Sequence, residues 1–154
     1  MNNYSVVELF RALDMMLHSE LLFSSDLVSW ELRGHVFPDL ASWPRWAEGR
    51  MWAPELHWVE ARQGYVVFFT AADRADKLNV GAAVAADRGD PWGEYRDLGR
   101  PLVVDTNSMA GALDPHYFLD PVTRYRAIFF RISDTVMVFN FLKIHVNISL
   151  QFRC

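Results

Sequence analysis

The sequence predicts an all-β fold, on three observations. Short runs rich in β-branched and aromatic residues recur along the chain. Turn residues separate them at intervals of about ten residues, the rhythm of a sandwich, barrel or propeller. Six Trp, eleven Phe and five Tyr supply side chains that suit a pleated surface. Periodicity alone does not choose among the three architectures. The same aromatic faces also suit stacking on sugar rings, and composition does not separate that use from packing.

The elements follow in order. Val6, Leu9, Phe10, Leu13, Met16 and Leu17 fall at helical spacing, with Ser5 as N-cap and Glu8 three residues on. That capping-box pattern predicts a helix in an atypical N-terminal segment, residues 1–20. Glu20 to Ser24 reads as a short strand, and Ser25-Asp26 begins the turn after it. Trp30 to Val36 is the next strand, ended by Pro38. Ala41 to Arg50 carries Trp, Pro and Gly and reads as loop. Met51 to Val59 leads through Gln63-Gly64 into the run Tyr65 to Thr70. Leu78 to Ala85 is a buried strand in which Gly81 allows close approach. Asp87 to Gly93 is rich in turn residues. Leu113 to Leu119 and Arg126 to Ile132 are further strands. From residue 133 to 154 the chain changes character, with a nearly unbroken apolar run from Val136 to Leu150.

Bulk properties exclude several classes. A chain of 154 residues holds one ordinary domain with its own core. A net charge of −4 with scattered Lys and Arg offers no basic patch, so no nucleic-acid partner is expected. No uncharged apolar stretch of about 18 residues occurs, so no membrane-spanning helix is expected. Met1 to Glu8 lacks the basic and apolar regions of a signal peptide. Cys154 is the one cysteine, which excludes an internal disulfide and a Cys-rich zinc site. The five His show no zinc spacing, and no metal or cofactor is expected. Asn147-Ile148-Ser149 is a glycosylation sequon, meaningful if the chain is secreted.

Three motifs carry a resemblance. They are Ser24-Ser25-Asp26-Leu27-Val28-Ser29-Trp30, then Met51-Trp52-Ala53-Pro54-Glu55, then Gly111-Ala112-Leu113-Asp114-Pro115-His116. Their order resembles the glycoside hydrolase family 43 five-bladed β-propellers, arabinanase- and β-xylosidase-like enzymes, over Leu21 to Tyr125. At about 40–50 residues per blade, the resemblance implies a partial five-bladed propeller of two to three blades across residues 21–132, truncated at both ends. Residues 133–154 read as a divergent apolar tail. An open ring exposes sheet edges, and that tail is the segment available to cover one.

The resemblance also implies roles. Asp26 bonds backbone amides in its turn and Trp30 packs between blades. Trp52 forms one wall of a sugar site, with His116 as a second substrate-binding residue. Glu55 supports its strand and is not expected to be catalytic, and His57 reads as a core histidine. Asp114 is the carboxylate that raises the pKa of a nearby general acid by like-charge proximity. Pro115 is expected to hold Asp114 extended and aim it inward. The implied partner is an arabinose- or xylose-containing glycan, and such enzymes are often extracellular.

An inverting glycosidase also needs a general base and a general acid, roughly 6.5–9.5 Å apart. The one Asp before Asp26 is Asp14, within the helical pattern, and no Glu follows Glu94. General acid and base catalysis contribute roughly 10²–10⁴-fold each, so this chain alone is expected to be inactive. Three readings stand: a hydrolase fragment, a non-catalytic carbohydrate-binding remnant that uses Trp52, and an interaction or structural β-protein or a gene-model artefact with no function of its own.

Overall fold

The computed structural model describes residues 5–7, 19–132 and 138–143, and its strands form three antiparallel sheets in chain order. The first joins β1 (Ser5–Val7), β2 (Glu20–Ser24) and β3 (Glu31–His35). The second is a four-stranded meander of β4 (Gly49–Val59), β5 (Gly64–Ala72), β6 (Leu78–Ala85) and β7 (Tyr95–Asp97). The third contains β8 (Ala112–Leu119), β9 (Arg126–Ile132) and β10 (Val138–Lys143). Among the described residues there is no α-helix, and none long and apolar enough to cross a membrane.

The middle sheet organises the core because its strands alternate between two buried faces. Val67, Phe69 and Ala71 of β5 and Ala83 and Ala85 of β6 pack with Leu21, Val36, Phe37 and Tyr95. The intervening Val66, Phe68, Val80, Ala82 and Val84 pack instead with Ala112, Tyr117, Ile128 and Phe130 of the third sheet. Every residue of β6 is buried. That double burial explains why Leu78 to Ala85 carries an almost unbroken apolar sequence rather than an alternating one.

Two glycines set the packing distances. A Cβ on Gly81 would lie 2.5 Å from Phe69 Cζ and 2.7 Å from Trp46 Cζ2. Those two rings stack on each other, 5.9 Å apart and 11° from parallel. Gly111 has φ +94°, and its Cβ would lie 2.0 Å from the Leu78 carbonyl oxygen. It sits one residue before β8, where Leu78 N–H donates to Ala110 O at 3.0 Å. The contact of Leu78 with Gly111 therefore fixes where β8 begins.

Several expectations meet the backbone directly. Ser5–Val7 is a strand paired with β2, so the helical spacing does not hold at Val6 and Val7. Val6 stands instead opposite Phe23 in the β1–β2 ladder. The rest of the expected helix, Asp14 and the Asn147 sequon lie outside the described residues. The Asp26 carboxylate accepts the Val28 and Ser29 amides at 2.9 and 2.8 Å, as its turn requires. Trp30, expected between blades, is 38% exposed. Within the apolar tail, Val138–Lys143 pairs with β9 and covers its free edge. The three-residue β7 follows the turn-rich stretch and was not foreseen, being too short for a period to show.

Substituting Gly111→Ala is expected to destabilise more than Gly81→Ala. The first combines a left-handed φ with a backbone clash, while the second meets ring edges at an overpacking cost of about 1–3 kcal/mol. Urea unfolding of both variants checks the order; equal midpoints would refute it.

Candidate functional site where the second and third sheets meet

The site is built on two bulged strands. In β4 the register with β5 shifts between Gly49, Trp52 and Glu55, and Arg50 and Ala53 take φ of 48° and 45°. In β8 the register with β9 shifts between Leu113 and His116, and Asp114 takes φ 53°. One shift in each strand, Trp52 to Glu55 in β4 and Leu113 to His116 in β8, falls on a residue followed by proline, Ala53-Pro54 and Asp114-Pro115. The two strands thus repeat one device at matching positions, with Ala53 standing where Asp114 stands and Glu55 where His116 stands.

The conformation of Asp114 corrects the expectation that Pro115 would hold it extended. The bulge turns the residue into the left-handed region, and its amide leaves the ladder to donate to Thr70 Oγ1 at 3.0 Å. Thr70 is fully buried on β5, and it pairs with Trp52 across the β4–β5 ladder. An Asp tolerates this backbone better than most residues. Its carboxylate, 45% exposed, has Arg131 Nε 3.3 Å from Oδ2, an ion pair whose N–H is not aimed for a hydrogen bond. Trp52 is 42% exposed, with the Arg50 guanidinium 5.6 Å from its ring centroid. Arg50 is in turn paired with Asp76.

His116 comes together with two residues that the motif reading set aside. Glu55 Oε1 lies 2.6 Å from His116 Nδ1, and Glu55 Oε2 lies 2.7 Å from His57 Nε2. The Tyr117 amide donates to Oε2 at 3.1 Å. His57 packs against Tyr117 and Phe68, with ring centroids 5.1 and 6.2 Å away. Glu55 and His57 share a face of β4 by period two, while His116 arrives from β8 across the seam. Sequence spacing hides this group because one member lies 61 residues from Glu55. The signal that could have found it is the parallel between the two X-Pro bulges.

The electrostatics assign Glu55 a fixed charge. Partial burial pushes its carboxyl up, but hydrogen bonds from His57, His116 and the Tyr117 amide, with the charge of His57, outweigh burial and hold it at about 2. Such a group carries no proton near neutral pH and has none to give a leaving group. What it does is tie β4 to β8. Because its folded pKa is depressed below the ordinary 4.5, its stabilising contribution is whole above that value and is lost as pH falls toward about 2. Glu55→Gln is therefore expected to lower stability at neutral pH, and its gap to the parent should narrow below about pH 4.5. Urea unfolding across that range checks the sign; a constant gap would refute it.

Comparisons with known proteins place this geometry. Residues 10–132 match Glycosyl hydrolases family 43. No curated protein matches the sequence. Among solved structures, a thermostable family-43 glycoside hydrolase is 18% identical with a TM-score of 0.63, over 88% of this chain and 43% of its own. An endo-1,4-beta-xylanase from Bacteroides thetaiotaomicron is 17% identical with a TM-score of 0.63, over 93% of this chain and 43% of its own. A family 43 beta-xylosidase/alpha-arabinofuranosidase from a compost microbial metagenome, solved with xylotriose, is 20% identical with a TM-score of 0.56, over 82% and 37%. The chain thus spans less than half the length of these solved relatives, and its three sheets are consecutive parts of their propeller fold. The chain belongs to glycoside hydrolase family 43.

Proposed function

We propose that this chain is part of an inverting glycosidase that acts on arabinose- or xylose-containing glycans. In this reading Asp114 raises the pKa of a general acid supplied from outside the chain, and Trp52 and His116 line the sugar site. The observation that supports it most is the placement of an exposed Asp carboxylate and an exposed Trp on adjoining bulged strands, joined through buried Thr70. With its Nδ1 committed to Glu55, exposed His116 has Nε2 left for a sugar hydroxyl. The structural relative bound to xylotriose fits the same substrate class.

The chain by itself is proposed to lack turnover. Asp114 is one carboxylate of the three that such a mechanism needs, and Glu55 is held ionised by its partners. Binding without turnover is the second reading, favoured by the exposure of Trp52.

Two experiments separate these readings. Titration with xylotriose and an arabino-oligosaccharide is expected to show binding that weakens about tenfold or more in Trp52→Ala, as loss of a stacking aromatic face predicts. Undiminished binding would remove Trp52 from the site. Residues 19–132 grafted into the matching segment of the thermostable family-43 relative should retain hydrolysis. Asp114→Asn in that chimera should lower kcat and move the alkaline limb of the pH–rate profile to lower pH, because removing a like charge lowers the acid's pKa. A limb that stays in place would refute the role of Asp114.

A further inference from the structure

We propose that Glu55, His57 and His116 form a binding site for a zinc-class divalent cation at the seam between the second and third sheets. One carboxylate oxygen and one nitrogen from each imidazole lie within 4.8 Å of one another, a grouping with no second instance among the described residues. The site is independent of the glycosidase reading, since it requires neither a sugar nor a missing carboxylate.

The donor chemistry selects the ion. Two imidazoles and a carboxylate make the three-ligand set that zinc takes with a fourth position open. Calcium and magnesium prefer all-oxygen shells, so two nitrogen donors discriminate against both. His116 is 58% exposed on its side chain, which leaves an approach for the ion and a place for water.

The surroundings orient the ligands. The Tyr117 amide on Glu55 Oε2 fixes the carboxylate and leaves Oε1 to face a cation, the outer contact that metal ligands commonly have. His57 is positioned by the Tyr117 and Phe68 rings. Bond lengths of about 2.0–2.2 Å put tetrahedral ligand atoms about 3.3 Å apart. The present separation of 2.6 Å between Glu55 Oε1 and His116 Nδ1 must therefore widen by about 0.7 Å. Rotation of the exposed His116 ring supplies much of that movement. A cation takes the place of the proton that each ring nitrogen shares with the carboxylate, and each neutral ring then carries its one proton on the other nitrogen. For His116 that nitrogen is Nε2.

The test uses the full chain carrying Cys154→Ser, which removes its one thiol, after treatment with a chelator. Zinc is titrated in competition with a chromophoric chelator, and calcium separately. One equivalent of zinc at micromolar or tighter affinity, a raised Tm with zinc, and no competition from calcium are expected. His116→Ala, at a side chain exposed enough to leave folding intact by circular dichroism, should weaken zinc by at least about tenfold. Absence of stoichiometric binding, equal zinc affinity in His116→Ala, or displacement by calcium would each overturn the proposal.

Discussion

The Glu55 carboxylate is the point on which the arrangement of the second and third sheets turns, because it takes hydrogen bonds from both. His57 beside it on β4 holds Oε2, and the Tyr117 amide reaches the same oxygen from β8. His116 of β8 holds Oε1. Half-burying a carboxylate is costly when its oxygens go unpaired and tolerable when donors surround it. Each donor offsets part of the desolvation only if β8 lies at one register against β4. The charge therefore acts as a positional constraint, and through it Asp114, two residues before His116, is held over Thr70.

Hydrophobic burial supplies the bulk of the stability and sets the distances over which that constraint operates. The middle sheet is covered on both faces, and its fully buried strand β6 is built mainly from Ala, Gly and Val. Small side chains there leave room for large ones on the neighbours. Phe69 and Trp46 stack against Gly81 on one face, and Phe68 stacks on Tyr117 on the other, 5.5 Å apart and 7° from parallel. Tyr117 thus belongs to both systems: its ring fills the core between sheets and its amide completes the Glu55 shell. A shift that loosened the apolar packing would also open the polar seam.

This division explains what the sequence made legible. Leu78 to Ala85 and Arg126 to Ile132 are strands at the expected residues because apolar, β-branched runs bounded by turn residues have few alternatives. The motifs around Trp52 and Asp114 were recognisable as sequence patterns, and they fall on adjoining strands of the site. Geometry within those motifs was harder to read. Proline disfavours the right-handed helical region for the preceding residue, which suggested an extended Asp114, yet the left-handed bulge also satisfies that restriction. Val6 fits a helical period and a strand equally well, and its pairing with Phe23 decided between them. The Glu55 cluster depends on contact between strands distant in sequence, which spacing within one segment does not encode.

The two carboxylates at this seam show how similar chemistry is given different work by its surroundings. Glu55 has three donors and a settled charge, so it has nothing to exchange with a substrate's proton. Asp114 has one cationic neighbour, no aimed donor from it, and a side chain open to solvent. In the proposed role, a carboxylate that acts on a neighbouring acid through its field needs open space beside it, and the bulge leaves that space. It takes the Asp114 amide out of the ladder and anchors it on Thr70, so the backbone is fixed while the carboxylate stays uncovered. Ala53 occupies the matching bulge on β4 with no functional group at all, so the backbone device does not depend on a functional side chain. The same turn of chain serves as plain structure in one sheet and presents a charge in the next.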